Sequence, residues 1–178
     1  PGLPLSALMT FVPAVAAGAL VLRREGRAAL RGLLARSLDV RRIPSPAWLA
    51  AATLIMPLVI FASLLLSRPP GPWLDRGALA APILFVVFFI AALGEELGWS
   101  GYAADPLTRR WGALKAALVI GLVWALWHVI PFVQGGRTWD WIFWQALKSV
   151  AARVVMVWLF LNAGRSVFAV TVFHAMSN

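Results

Sequence analysis

Cysteine is absent from this chain of 178 residues. Its absence excludes disulfide bonds, thiolate metal ligands and a cysteine nucleophile, and it leaves the redox compartment undetermined. Histidine is scarce, with two residues in the chain, and the acidic residues number only seven. Any acid–base chemistry therefore depends on very few side chains, and the positions of those side chains are informative.

Polar residues are also in the minority, because 61% of the chain is hydrophobic and the mean hydropathy is +0.82. A soluble domain has about 45–50% apolar residues. The excess falls into long apolar runs that lack the polar face of a soluble protein's surface helix, and the charges lie in the gaps between the runs. The sequence therefore predicts an all-α, polytopic bundle of transmembrane helices.

About six membrane spans are expected. They cover residues 3–22, 48–67, 78–102, 116–133 and 141–161, and a sixth begins at Val167. The segment 68–72 (Arg-Pro-Pro-Gly-Pro) cannot lie inside a helix and ends the second span. We divide the chain into N-terminal spans with a basic loop, residues 1–77, and a core that carries the chemistry, residues 78–178. The sequence starts at Pro1 and stops within an apolar run, so we expect a piece of a longer protein.

The net charge is +9, and the basic residues are unevenly placed. Alternate gaps between the spans hold eleven of them, namely Arg23, Arg24, Arg27, Arg31, Arg36, Arg41, Arg42, Arg109, Arg110, Lys115 and Arg165. The other gaps hold three, namely Arg68, Arg76 and Arg137. The positive-inside rule places the first group in the cytoplasm of a multi-pass cell-membrane protein, where it contacts anionic lipids rather than nucleic acid. Lys148 and Arg153 fall inside the fifth span and need a separate explanation.

Two glutamates and both histidines also lie inside predicted spans. A charged group in a membrane helix costs about 2.5–3.5 kcal/mol on insertion scales, so it marks a protein interior or a site of chemistry. Glu95 and Glu96 are adjacent, and like charges so close favour one proton-accepting and one proton-bearing carboxyl group. His174 and Asn178 are four residues apart and share a helix face, and His128 lies on another span. Together the five predict one polar site that binds a water or a metal ion and polarises a carbonyl.

The order of these motifs resembles the CPBP intramembrane proteases, also called the CAAX-protease and bacteriocin-processing or Abi family. The family pattern is Glu-Glu-x-x-x-Arg, an aromatic residue four before a histidine, and His-x-x-x-Asn on successive helices. The matching residues are Glu95-Glu96, Trp124 with His128, and His174 with Asn178, within residues 80–178. Ser100 stands where the family has arginine, so the charge of Glu96 needs another positive partner. Lys148 or Arg153 is the hypothetical replacement. Trp124 replaces the commoner phenylalanine.

The resemblance implies an intramembrane endopeptidase that cleaves a membrane-associated substrate, such as a CAAX-type prenylated protein or a leader peptide. By that analogy a glutamate and His128 hold and activate the attacking water, and His174 and Asn178 stabilise the oxyanion. We favour Glu95 as the base and Glu96 as its partner. Trp99, Tyr102 and Trp124 are expected to contact the substrate.

A divalent metal ion is a possible cofactor. Glu96, His128 and His174 are the candidate ligands, and this set suits zinc. A glutamate mechanism without metal is equally compatible with the residues.

The depths of the site residues predict where the site opens. Glu96 and His174 lie about 10 and 12 Å from the cytoplasmic ends of their spans, at about 1.5 Å per residue. His128 fits that depth if residues 105–118 lie along the cytoplasmic surface and the fourth span starts near Val119. We therefore expect a site that opens to the cytoplasm.

Two other function classes compete with a protease. A non-catalytic CPBP-like scaffold or immunity protein is favoured by Ser100, and it predicts a phenotype that survives loss of both glutamates. A transporter coupled to protons through Glu and His predicts ion flux without cleavage.

Overall fold

The computed structural model describes residues 5–67 and 77–178, and the side chains of residues 8–67 and 81–178. The described residues form helices and short connections, without a strand. The helices are α1 Val12–Glu25, α2 Arg27–Ala35, α3 Pro46–Ser67, α4 Gly77–Gly98, α5 Asp105–Trp111, α6 Ala113–Gln134, α7 Trp139–Asn162 and α8 Val167–Ser177. A 3₁₀ segment, Leu5–Phe11, precedes α1, and a π-helical segment, Trp99–Ala104, joins α4 to α5. This architecture confirms the predicted all-α membrane bundle.

Four helices are long and apolar enough to cross a membrane: α3, α4 with its continuation through α5, α6 and α7. They correspond to the second to fifth predicted spans. The outermost predicted spans are shorter helices, because α1 has 14 residues behind its 3₁₀ segment and α8 has 11. The proline-rich break at 68–72 and the start of the first span lie outside the described residues.

The fourth span begins earlier than predicted. The surface segment expected over 105–118 is limited to α5, and α6 starts at Ala113 rather than near Val119. Gly112 causes this difference, because its φ of 77° breaks the helix and turns the chain back on itself. Such a left-handed conformation favours glycine, so the reversal is fixed at this residue.

The outer surface of the bundle is apolar, as a lipid environment requires. Leu58 and Leu66 on α3, Ile83 on α4 and Leu126 on α6 are all more than 60% exposed. In water such a surface would be unstable, whereas lipid tails solvate it at no cost. The sequence pattern of α3, apolar on every side, follows from this position, because only Ala52 of that helix is buried among the described residues.

Gly94 and Gly98 make the contact between α4 and the start of α1. A Cβ atom added to Gly98 would lie 2.5 Å from the carbonyl oxygen of Pro13, and one added to Gly94 would lie 2.8 Å from that of Thr10. The two glycines therefore remove the side chains that would hold the backbones apart, as expected for residues four apart on a membrane helix. The predicted close approach is confirmed, and α1 is the neighbour.

The three arginine-bearing loops meet at one end of the bundle. Arg36, from the 3₁₀ segment after α2, donates to the carbonyl oxygens of Gly101 at 2.6 Å and Arg165 at 2.8 Å. Arg165 in turn donates to Asp105 at 2.8 Å. Burial lowers the pKa of the Arg36 guanidinium, and the carboxylates of Asp39 and Asp105 partly oppose this shift. The contacts place all three loops on the same side, as the charge count predicts.

Asp39 fixes the start of α8. Its carboxylate accepts hydrogen bonds from the Ser166 hydroxyl at 2.7 Å and from the backbone N–H groups of Val167 and Phe168 at 3.2 and 3.1 Å. The first N–H groups of a helix have no partner within the helix, and a carboxylate there is favoured by the helix dipole. The basic loop therefore positions the helix that carries His174.

The glycine contact can be tested by adding one methyl group. We expect Gly98→Ala to lower the stability of the purified protein by about 1–3 kcal/mol, because the new Cβ overpacks a backbone contact. Thermal unfolding in detergent, followed by circular dichroism, measures the change. Gly32→Ala in α2 is the matched control, since a Cβ at Gly32 meets nothing within 4 Å. Equal unfolding temperatures for the two variants would contradict the packing described here.

Candidate active site

The centre of the bundle holds a buried ion pair between α4 and α7. The carboxylate of Glu96 accepts a hydrogen bond from Nη1 of Arg153 at 2.8 Å, and the side chains are 0% and 1% exposed. Separated from its partner, either charge would be very costly at this depth. Arg153 is thus the positive partner that Ser100 does not provide, which confirms one of the two proposed replacements. Lys148, the other one, is exposed and lies elsewhere on α7.

Ser100 still contributes to the same carboxylate. It lies one turn after Glu96, and its hydroxyl donates to Oε2 of Glu96 at 2.5 Å. Ser100 and Arg153 therefore both bond to Oε2 of Glu96. The hydroxyl supplies the local donor, and α7 supplies the charge.

His174 on α8 bonds to the second carboxylate oxygen of Glu96. Its Nδ1 lies 3.0 Å from Oε1, and the imidazole is buried. A carboxylate at one ring nitrogen fixes the orientation of the ring and leaves Nε2 for chemistry. The structure therefore brings together Glu96 and His174, two of the predicted catalytic residues.

Glu95 has a different environment from Glu96. Its Oε2 accepts a hydrogen bond from the indole N–H of Trp124, and its Oε1 lies 3.4 Å from the Thr10 hydroxyl. Among the described residues no cation pairs with Glu95, and it remains 6% exposed. Two adjacent carboxylates thus differ in kind: one is neutralised by an ion pair, and the other is held by neutral donors.

Trp124 connects the two carboxylates. The guanidinium carbon of Arg153 lies 4.3 Å from the centroid of the indole ring, a cation–π contact, while the indole N–H bonds to Glu95. The ring also meets the imidazoles of His128 and His174 edge-on, each with centroids 5.1 Å apart. Besides its predicted contact with the substrate, Trp124 therefore separates and orients most of the polar groups of the site.

His128 and Asn178 lie beside this centre and not at Glu96. Nδ1 of His128 is 2.8 Å from the carbonyl oxygen of Trp124, one turn earlier on α6. Both residues line a cavity of about 170 Å³, together with Trp124, Phe132, Gln145, Lys148, Ser149, Ala152 and Ser177. The predicted site is thus divided into a buried centre and an open cavity, with Trp124 common to both.

The other two predicted substrate-binding residues face a second space. Trp99 and Tyr102 line an apolar cavity of about 200 Å³ between α1 and the π-helical segment, which also includes Pro13, Gly98 and Trp127. The indole nitrogen of Trp99 is buried without a partner among the described residues. Because these two residues and His128 border different cavities, they do not form one pocket.

The π-helical segment begins three residues after Glu96. A π turn widens the helix by one residue and is frequent at functional sites. Here it contains Ser100, which reaches Glu96, and Gly101, whose carbonyl oxygen accepts from Arg36. It thus carries contacts both to the centre of the site and to the basic loop.

The three candidate metal ligands do not converge in this arrangement. Both oxygens of Glu96 already accept hydrogen bonds, from Arg153, Ser100 and His174. His128 is directed to its own helix backbone. Within residues 5–67 and 77–178, no group of three His, Asp or Glu side chains is placed to hold a metal ion. This donor set does not fit a metal ion.

The open cavity lies at the end of the bundle remote from the arginine loops. It is lined by the second half of α6, the first half of α7 and the last residues of α8, whose first residues are capped by Asp39. A polar cavity of about 380 Å³ on the arginine side borders Arg36, Tyr102 and Asp105 and none of the five predicted catalytic residues. The predicted cytoplasmic opening therefore stays a prediction, and the position of His128 in the second half of α6 favours an opening on the side opposite to the arginine loops.

Thr10 is the contact that the sequence did not indicate. It lies in an apolar segment, 85 residues before Glu95, and its hydroxyl also donates to the carbonyl oxygen of Ala91 at 2.8 Å. A single threonine in an apolar run gives no signal in one sequence. Arg153 gave a signal, because a charge inside a predicted span requires a partner.

A polytopic helix bundle with a Glu–Arg–His centre in its core defines an integral membrane protein with a buried polar site. Comparison with known proteins agrees with this class. The family model described as type II CAAX prenyl endopeptidase Rce1-like matches residues 77–178. The chain belongs to this Rce1-like family, which confirms the resemblance to the CPBP proteases.

One curated relative is similar to about half of the chain. It is CAAX prenyl protease 2 of Methanococcus maripaludis, 37% identical over 97 residues. The match covers 49% of this chain and 35% of the relative. The chain thus spans about a third of the relative's length, and the four spanning helices together with the family establish a membrane location.

The buried ion pair can be tested through Arg153→Met. We expect a loss of about 3–5 kcal/mol in unfolding free energy, because Glu96 is left charged and unpaired. Ser100→Arg in the same chain should recover most of the loss by placing a cation one turn from Glu96. Denaturation in detergent measures both variants. Lys148→Met is the matched control, since the exposed Lys148 has no acidic partner among the described residues, and a loss equal to that of Arg153→Met would contradict the assignment.

The orientation of the cavity can be tested in the natural cysteine-free background. Single cysteines are introduced by Arg41→Cys in the basic loop, Thr138→Cys in the turn before α7, and Gln145→Cys in the cavity. In sealed vesicles of known orientation we expect an impermeant maleimide to label Thr138→Cys and Gln145→Cys from one side and Arg41→Cys from the other. Labelling of Gln145→Cys from the side of Arg41→Cys would contradict the orientation of the cavity.

Proposed function

We propose that this protein is an intramembrane endopeptidase that hydrolyses a peptide bond of a membrane-associated, CAAX-type substrate by means of a water molecule. The observation that carries the proposal is the pair of unlike carboxylates, one neutralised by Arg153 and bound to His174, and the other held by Trp124. Family membership and the curated relative support the substrate class. Two buried carboxylates within membrane helices favour a site of chemistry over a scaffold or a passive helix contact.

Glu95 acts as the general base. It is the carboxylate without a cationic partner among the described residues, so its oxygens are not held in an ion pair. Its Oε1 has only a long contact to Thr10 and therefore has room to accept a proton from water. The water oxygen attacks the carbonyl carbon of the scissile bond, and its proton passes to Glu95. When the C–N bond breaks, Glu95 returns the proton to the leaving amine.

Glu96 and Arg153 hold the site in place. Glu96 orients the ring of His174 by accepting from Nδ1, and the doubly protonated ring donates from Nε2 to the oxyanion that forms on the scissile carbonyl. Asn178, the residue that follows α8, supplies a second donor from the wall of the cavity. His128 borders the same cavity and positions the water. The proposed reaction thus uses groups on α4, α6 and α8.

Trp124 controls access between the cavity and the base. It lines the cavity and bonds to Glu95, while Glu95 does not border that cavity. A rotation of the indole away from Glu95 would expose the carboxylate to the cavity and remove its donor in the same movement. The resting site is therefore closed to water, which protects the membrane interior from an open polar channel.

Cleavage tests the proposal directly. The complete membrane protein is purified in detergent and mixed with prenylated peptides and leader-type peptides, and mass spectrometry records the products. We expect cleavage of the prenylated peptides, and a loss of at least about 100-fold in Glu95→Gln, because a positioned general base contributes about 10²–10⁴ in rate. Glu25→Gln, an exposed acid at the end of α1, is the matched control and should keep full activity.

The same assay separates the alternatives. Activity retained in Glu95→Gln would reject the proposed base, and activity absent from the wild type with all peptides would favour a non-catalytic protein. Repeating the assay with a chelator tests whether cleavage depends on a metal ion. Unchanged cleavage would fit a Glu96 carboxylate that is already bonded to Arg153 and His174. A loss of cleavage that added zinc restores would require Glu96, His128 and His174 to be arranged differently.

A further inference from the structure

Lys148 is a charge within the fifth span that the proposed chemistry does not use. It is exposed on α7, ten residues into the helix counted from Trp139. A lysine at such a position costs about 2.5–3.5 kcal/mol on insertion scales and persists where it faces a polar cavity or a ligand. Among the described residues no carboxylate forms an ion pair with it. Its ammonium group therefore has hydrogen-bonding capacity to spare.

The surroundings of Lys148 resemble a site for an anion. It borders the 170 Å³ cavity, whose other polar side chains are an imidazole, two amides and two hydroxyls, namely His128, Gln145, Asn178, Ser149 and Ser177. The two hydroxyls and Nδ1 of His128 already bond to backbone carbonyl oxygens, so the N–H groups of the two amides are the donors left for a ligand. The cavity thus combines one cation with two amides and has no carboxylate that would repel an anion, which is the chemistry that recognises a carboxylate.

The position of Lys148 relative to the buried centre sets a lower limit on the length of the ligand. Lys148 and Arg153 lie five residues apart on α7, about 7.5 Å along the helix axis at 1.5 Å per residue, and they point about 140° apart around it. An extended peptide advances about 3.3 Å per residue. A carboxylate held at Lys148 is therefore at least about two residues away from a bond that is cleaved beside Glu95 and Glu96.

We infer that Lys148, with the amides of this cavity, binds the free C-terminal carboxylate of the substrate. The inference rests on the proposed endopeptidase function and adds a specificity-determining residue to it. Binding at Lys148 would distinguish a substrate with a free chain end from an internal peptide segment, which has no carboxylate to bind. It also accounts for the retention of a lysine within a membrane helix.

The test compares three versions of one prenylated peptide: with a free C-terminal carboxylate, with a C-terminal amide, and with one extra residue at the C-terminus. The complete protein should cleave the free acid at least about tenfold faster, in kcat/KM, than the amide, because a charge-assisted hydrogen bond is lost. In Lys148→Met the free acid should fall to the rate of the amide, and the rate of the amide should not change. Lys148→Arg should restore part of the preference.

Each outcome bears on a different claim. No cleavage of any version by the wild type would reject the proposed function itself. Equal cleavage of acid and amide by the wild type would overturn the inference and leave the endopeptidase in place. A preference for the acid that survives in Lys148→Met would also overturn it, because another residue would then read the carboxylate. Lys115→Met, an exposed lysine at the start of α6, is the control and should behave as wild type.

A phosphate of a lipid head group has similar chemistry, and a second arm distinguishes it. The assay is repeated in vesicles of neutral lipid and in vesicles with an anionic lipid. If Lys148 binds the peptide, the loss in Lys148→Met is confined to the free acid and is the same in both vesicles. A loss that affects acid and amide equally and appears only with anionic lipid would overturn the inference in favour of a lipid contact.

Discussion

The ion pair between Glu96 and Arg153 joins α4 to α7 in the middle of the bundle, where neither charge is stable alone. Because His174 bonds to the same carboxylate, the pair also sets the position of α8. Trp124 on α6 stacks on the guanidinium, so a fourth helix depends on it as well. Removing the pair would leave helices that still suit the membrane by composition but no longer share a polar centre, because apolar surfaces alone give little direction to helix packing in lipid.

Charge serves a second purpose at the end of the bundle where the arginine loops meet. Arg36 donates to backbone carbonyl oxygens of the π-helical segment and of the turn before α8. Asp39 accepts from the first backbone N–H groups of α8. Arg36 and Asp39 lie outside the long helices, and their hydrogen bonds connect the basic loop to the end of α4 and to the start of α8. The basic loop is therefore part of the support of the site in addition to its role in topology.

Composition and motif order predicted the fold class and most of the centre, since apolar runs and charges inside them are visible in one sequence. Lys148 or Arg153 followed from the requirement that Glu96 have a partner once Ser100 replaced the arginine, and the structure selects Arg153. The division between a buried centre and an open cavity was not predictable, because it depends on where α6 starts, and a glycine at Gly112 moved that start by two turns. Thr10 was likewise invisible, since its contact depends on the closeness allowed by Gly94.

The separations along the chain have a consequence for how the protein is made. Glu96 and His174 lie 78 residues apart, and Asp39 reaches Val167 across 128 residues. Contacts between such distant segments form late, because the loop between them must close first. During synthesis the four long helices are therefore complete before α8 exists, and a shorter chain has spans but no assembled site. The buried polar site is thus complete only after the eleven residues of α8 have been added.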